Sequence, residues 1–138
     1  MATFKLSIVT PEHVFYEDEI EALVFEAPDG EFCVMAGHEP MVATLVPSEL
    51  RITMAGGEKK WAAASGGFAT ILPDEMLVML QTCEWPWEID IKRAQRDKRA
   101  AQEQLRRQRS KQEYTLARNM LARAMVRLRV TSRNQVNG

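Results

Sequence analysis

Beyond Trp87 the chain has no proline, and its one glycine there is the terminal Gly138. Nothing in that segment forces a helix to break. Cysteine is scarce too. Cys33 and Cys83 are far apart and share no metal-ligand spacing. That excludes a disulfide framework and a zinc motif, and it fits two reduced, buried thiols in a cytosolic protein. No apolar run approaches the roughly 18 residues of a membrane span. The start, Met1-Ala-Thr-Phe-Lys-Leu-Ser7, has neither the basic leader nor the apolar core of a secretion signal. His13 and His38 are the only histidines, and neither has a partner motif, so both read as surface or turn residues. Ser65 precedes Gly66-Gly67 without the Gly-x-Ser-x-Gly elbow of a nucleophile. Gly30 and Gly37 open no helix, so no phosphate loop is present. An enzyme is the last-ranked reading, because no nucleophile–base pair, carboxylate pair or metal cluster is visible.

What is present is a globular composition, 46% hydrophobic and 27% charged, with its charge sorted along the chain. Met1 to Glu88 holds 4 Lys+Arg against 15 Asp+Glu, a net of −11; Ile89 to Gly138 holds 14 against 4, a net of +10. An acidic half is thus joined to a basic half, and such halves usually meet different partners. The junction is Glu84-Trp-Pro-Trp-Glu-Ile-Asp-Ile-Lys-Arg-Ala94. We divide the chain there, into residues 1–87 and 88–138.

The acidic half reads as short strands. Thr3 to Thr10 alternates, with Phe4, Leu6 and Ile8 on one face, until Pro11. Further runs span Val14–Tyr16, Ile20–Ala27, Phe32–Met35, Met41–Val46, Leu50–Met54, Lys60–Ala64, Phe68–Leu72 and Met76–Thr82. Between several of them lie turn signals such as Pro28-Asp-Gly30 and Ala55-Gly-Gly-Glu58. Punctuation every eight to ten residues predicts an all-β sandwich or barrel with antiparallel neighbours. Gly66 and Gly67 are explained by a bend or bulge.

The basic half is built of strong helix formers. Ile91, Ala94, Lys98, Ala101 and Leu105 form one stripe. Tyr114, Ala117, Leu121, Ala124 and Leu128 form another, on a helix from about Glu113 to Val130. A polar stretch with Ser110 separates the two, so they predict an antiparallel hairpin. Its alanine-rich seam buries little area, so the hairpin needs the β half, a ligand or another protein to hold it shut. Folding about Ser110-Lys111 brings Arg93 beside Arg127, with Arg123 one turn further in, near Asp90. Three guanidinium groups repel unless an anion joins them, and their forks suit phosphate. On the residues alone, a solvated basic face with Asp90 at the helix N-terminus explains the pattern more simply.

In order and spacing, four features are similar to the epsilon-subunit family of F-type ATP synthases over essentially the whole chain. They are Gly30-Glu-Phe-Cys-Val-Met-Ala-Gly-His-Glu-Pro40, Ser65-Gly-Gly-Phe68, Ile89-Asp-Ile-Lys-Arg-Ala94 and Arg123-Ala-Met-Val-Arg-Leu128. The resemblance implies a β sandwich followed by a helical hairpin, α+β overall. It implies a non-catalytic rotor subunit of a proton- or sodium-translocating complex, peripheral to the cytoplasmic face of the bacterial inner membrane. The sandwich would bind the gamma subunit and the ring of c subunits. The hairpin would fold down on the sandwich or extend along gamma, where its basic residues, here Arg106, Arg107 and Arg109, would meet acidic segments of the catalytic beta subunits and inhibit ATP hydrolysis. The charge split suits such a target.

No cofactor is required by this resemblance, but it implies ATP as a regulatory ligand. Ile89, Asp90, Arg93 and Ala94 match the family's nucleotide motif, Glu84 its adenine-side carboxylate, and Arg123 and Arg127 its second-helix arginines. A further first-helix arginine of the family falls on Ala100, with Arg99 one position earlier, a turn of about 100° around the helix. The resemblance also places Glu31 and His38 toward the c ring. The rival class is a nucleic-acid-binding module using the basic hairpin. Against it stand the acidic sandwich, the single aromatic Tyr114 in the helical half and the missing helix-turn-helix glycine. The first reading expects no nucleic acid partner.

Overall fold

The computed structural model describes residues 2–107 and 110–137, the last four as backbone only. Nine strands come first: β1 (Phe4–Val9), β2 (Val14–Ala27), β3 (Gly30–Met35), β4 (Met41–Leu45), β5 (Ser48–Met54), β6 (Lys59–Ala64), β7 (Gly67–Ile71), β8 (Glu75–Leu80) and β9 (Cys83–Glu84). A single 3-10 turn, Pro86–Glu88, leads to α1 (Ile91–Arg107) and α2 (Lys111–Asn137). The expected architecture, a sandwich followed by a two-helix hairpin, is the one observed. Among the described residues, no helix is long and apolar enough to cross a membrane.

The alternation in β1 sets the core. Phe4, Leu6 and Ile8 are buried, and they join Ile20, Leu23, Phe25, Leu50, Ile52, Ile71 and Val78 in one apolar cluster. The strands run in the order β4-β7-β8-β1-β2-β5-β6-β9, with β3 on β2. Two corrections to the sequence reading follow. Val14–Tyr16 and Ile20–Ala27 are one strand, because the acidic residues between them stay in register: Glu17 opposes Ser7, Asp18 opposes Leu6 and Glu19 opposes Lys5. The polar run reads as a break, yet it only faces water, and Lys5 reaches Glu17 at 3.2 Å. The N-terminal part of β2 pairs with β1; its C-terminal part pairs with β3 and, after a register shift between Ile20 and Ala22, with β5. The second correction is that β1 and β8 pair in parallel, Leu6 opposite Met76. The other ladders are antiparallel.

Gly67 is required by contact rather than by a bend. A Cβ there would stand 2.0 Å from the Met79 carbonyl oxygen. Ser65 is a brace: its Oγ accepts the Thr82 N–H at 2.8 Å and donates to the Thr82 carbonyl at 3.1 Å.

The helices close into the expected hairpin, folded down on the sandwich. Ala94 and Ala101 of α1 and Ala117 and Ala124 of α2 are buried. Ser110 caps α2, its Oγ accepting the Glu113 N–H at 3.1 Å. The helix starts at Lys111 and continues to Asn137 instead of stopping at Val130. Thr131 and Ser132 look like terminators, but their hydroxyls bond back to the carbonyls of Leu128 (2.8 Å) and Arg129 (2.6 Å). Ile91 is 40% exposed, so it does not belong to the inner stripe. Ile89, just before α1, goes inside and packs with Ala63, Val126 and Val130.

Candidate functional site

The two halves meet at a joint whose parts each have a local cause. Pro86 fixes the backbone at the first position of the 3-10 turn, where its missing N–H is no loss. The Glu88 carboxylate accepts the Trp85 N–H at 2.9 Å. Ile89 anchors the turn in the apolar patch under α2. Asp90 then caps α1: its Oδ1 accepts the Arg93 N–H at 3.0 Å and its carbonyl the Ala94 N–H at 3.0 Å. From α2, Arg127 Nε donates to Glu84 Oε1 at 2.5 Å. Both side chains are about a quarter exposed, so the pair is screened less than a surface ion pair.

A cleft of about 550 Å³ opens at this joint. Glu84, Asp90, Arg93 and Arg127 line it, so four of the six expected nucleotide residues are brought together. Arg123 lines a smaller adjoining crevice with Ser65, Thr82 and Glu84. Ile89 supports the floor without lining the cleft. Arg99 is exposed and also does not line it. Sequence reasoning missed the opposite wall, Glu12 and His13 in the β1–β2 turn, and Glu88 and Asp97 beside the named residues. No local pattern carries that wall, since only the fold brings residue 12 to residue 127. The cleft therefore presents five carboxylates and two guanidinium groups. A phosphate would find its partners in Arg93 and Arg127, while the carboxylates suit hydroxyl and amino donors. Cys83 also lines the cleft, but burial and the nearby charges of Glu84 and Glu88 push its thiol well above its ordinary range, so this group is inert. Among the described residues, no cluster of His, Cys, Asp or Glu is arranged to hold a metal ion.

The expected partner residues lie elsewhere. Glu31 on β3 accepts from Arg51 at 3.3 Å. The His38 ring hydrogen-bonds through Nδ1 to the Glu39 carbonyl and lies 5.6 Å from the Phe32 ring. Arg106 and Arg107 are exposed at the end of α1, Arg107 within 3.6 Å of Glu103. Arg109 lies outside the described residues.

A second surface escaped the sequence reading. Val42 is 70% exposed and Phe68 50%, and Leu77 is exposed beside them on β8. They stand on three neighbouring strands, with Thr44 opposite Phe68 and Thr70 opposite both Val42 and Leu77. An apolar groove of about 380 Å³ continues this face past Val9, Pro11 and Met79. The signal was there as apolar residues at the outward positions of β4, β7 and β8. Exposed apolar side chains gathered on one face make this a candidate interaction surface.

The comparisons cover both halves. The family profile "ATP synthase, Delta/Epsilon chain, beta-sandwich domain" matches residues 3–86. The profile "ATP synthase, Delta/Epsilon chain, long alpha-helix domain" matches residues 88–132. The ATP synthase epsilon chain of Ruminiclostridium cellulolyticum is 42% identical over 137 residues, covering 98% of this chain and 100% of that one. Among solved structures, a chain of the Euglena gracilis mitochondrial ATP synthase, OSCP/F1/c-ring, superposes with a TM-score of 0.80 at 21% identity, covering 94% of this chain and 81% of that one. A chain of the Tetrahymena thermophila mitochondrial ATP synthase central stalk and c-ring gives 0.62 at 12% identity, covering 94% and 97%. With both halves matched in order, and with the sandwich, the joint and the hairpin all in place, the chain belongs to the delta/epsilon chain family of ATP synthases.

Proposed function

We propose that this chain is a non-catalytic subunit of the central stalk that links the gamma subunit to the c ring and restrains ATP hydrolysis through its hairpin. The observation that carries the regulatory part is the seam between the halves. Ile89, Val126 and Val130 bury themselves against Ala63. Among the described residues, two ion pairs, Arg127–Glu84 and Arg133–Glu49, cross the same seam. Such a contact is enough to hold the hairpin down and small enough to release it, so closed and extended forms differ by about a few kcal/mol.

The Val42, Phe68 and Leu77 face is the surface for gamma, since covering exposed apolar side chains gathered on one strand face is favourable. The Euglena and Tetrahymena chains come from assemblies that include a c-ring, which supports a place at the stalk, with Glu31 and His38 turned to the ring. The complex holds the chain peripherally at the cytoplasmic face of the inner membrane. On extension, the basic hairpin meets acidic segments of the catalytic beta subunits. ATP in the joint cleft, on Arg93 and Arg127, binds the closed form alone and holds it closed by mass action. Inhibition then eases as ATP rises.

The test is ATP hydrolysis by the reconstituted complex. It compares the full chain, a chain ending at Glu88 and a chain with Arg106, Arg107 and Arg109 changed to Glu. The two altered chains are expected to assemble normally and to hydrolyse faster. Equal rates for all three, with normal assembly, overturn the regulatory role.

A further inference from the structure

The far end of α2 carries a hold on the hairpin that is separate from the joint cleft. Val126, Val130 and Arg133 follow the spacing i, i+4, i+7, so they share one helix face. Glu49 of β5 and Ala63 of β6 are direct cross-strand partners, and Trp61 lies two residues before Ala63 on the same side of the sheet. The helix face meets that sheet face. Val126 and Val130 pack with Ala63, and one turn later Arg133 reaches past them. Its Nε donates to Glu49 Oε1 at 2.7 Å. Its guanidinium also lies over the Trp61 ring, 5.5 Å from the centroid.

We infer that Arg133, clasped between Glu49 and Trp61, is a latch that keeps the hairpin folded on the sandwich independently of any ligand at the joint. The inference rests on the reading that the hairpin opens. An ordinary surface ion pair contributes almost nothing, and Arg133 itself is half exposed, but two features set this one apart. The Glu49 side chain is only 16% exposed, so water screens it less. The cation also has a second partner in the ring, a contact worth up to that of the ion pair itself. Neither Glu49 nor Arg133 lines the joint cleft. Arg133 lies six residues past Arg127, about 9 Å along the helix. The closed form is thus held at two points, and only the nearer one is within reach of a nucleotide.

The test is amide hydrogen exchange on the full chain without nucleotide, read at residues 120–132 of α2 and in the β core. In the wild type, the α2 amides are expected to exchange faster than the core, through an opening that leaves the sandwich folded. Glu49→Gln and Arg133→Gln are each expected to speed α2 exchange about 3- to 10-fold and to leave the β-core amides unchanged. Trp61→Leu, which keeps the apolar bulk, is expected to give a smaller rise. The double variant Glu49→Gln with Arg133→Gln is expected to exchange no faster than the faster single one, the signature of one shared contact. Unchanged α2 exchange in both single variants, or multiplied effects in the double, overturns the latch. If the α2 amides of the wild type exchange only together with the β core, the hairpin does not open by itself, and the latch and the regulatory reading both fail.

Discussion

The Oδ1 of Asp90 accepts its hydrogen bond from the backbone N–H of Arg93, 3.0 Å away, and that bond caps α1. The same carboxylate lines the joint cleft, so capping and charge are separable by substitution. Asp90→Asn keeps a capping oxygen and is expected to change stability by only a few tenths of a kcal/mol, whereas Asp90→Ala is expected to cost about 1 kcal/mol. Thermal melts of the two variants check this. Equal destabilisation by both would mean that the charge, not the cap, holds the joint.

Arginine substitutions are expected to rank by distance from the cleft. Arg93→Ala and Arg127→Ala each remove a guanidinium that lines it, which predicts about a tenfold or greater loss of ATP affinity. Arg123→Ala, in the adjoining crevice, is expected to weaken binding less. Arg106→Ala, at the far end of α1, is expected to leave it unchanged. Calorimetry at millimolar ATP reads the order. No heat from the wild type would leave the cleft as an ion-paired joint alone.

Gly67→Ala is expected to damage the sandwich from within. Its Cβ would collide with the Met79 carbonyl at 2.0 Å and the Leu80 side chain at 2.9 Å, so β7 and β8 must part, at a cost of about 3 kcal/mol. Gly66→Ala is the control, because its Cβ would meet nothing closer than 3.4 Å. Denaturant unfolding of the pair measures the difference.

The outer face of β4, β7 and β8 predicts a loss of partner binding without a loss of fold. Val42→Ser is expected to shift stability by no more than about 0.5 kcal/mol, since the residue is 70% exposed. Phe68→Ser is expected to weaken capture by tagged gamma subunit by about 2 kcal/mol, as for an aromatic anchor. Capture at wild-type strength by both variants would move the gamma contact to another face.

One half-buried acid and one buried acid predict how alkali acts. Burial, helped by the Asp18 charge, pushes Tyr16 up to about 12, and burial pushes Cys83 up as well. Both groups hold their proton more tightly folded than unfolded. Their contribution is therefore complete below the ordinary cysteine value of 9.0 and is lost as pH rises above it. Stability is expected to fall from about pH 9 upward. Only one of the two thiols is buried, contrary to the sequence reading, because Cys33 points outward from β3. At pH 8, an alkylating reagent is expected to label exposed Cys33 and to spare Cys83 until the sandwich unfolds.

Much of this was legible in the sequence because it rests on local periodicity. The β1 alternation of Phe4, Leu6 and Ile8 and the alanine stripes of the hairpin each follow from a few adjacent residues. Asp90 also announces itself at a helix N-terminus, and the polar run holding Ser110 marks the turn between the helices. What stayed hidden depends on contact across the chain. The acidic Glu17-Asp-Glu19 looks like a break until Lys5 and its neighbours are found opposite. Ile89 and Ile91 are equally apolar, and only the patch formed by Ala63, Val126 and Val130 decides which one turns inward. Glu12 and His13 form a wall of the cleft because the β1–β2 turn faces the joint.

The single long β2 also has a mechanical meaning. It serves the β1 side of the sandwich with one end and the β5 side with the other, so the two layers are joined by covalent backbone as well as by side-chain packing. A load on the Phe68 face travels through the β7, β8 and β1 ladders into β2, and from there into the β5–β6 layer that carries α2. Hydrogen-bonded strands resist shear stiffly, whereas the hairpin hangs on one turn of chain and a few side chains. Under load, such a body transmits force as a block, whereas its helical appendage is tied to it by far fewer contacts.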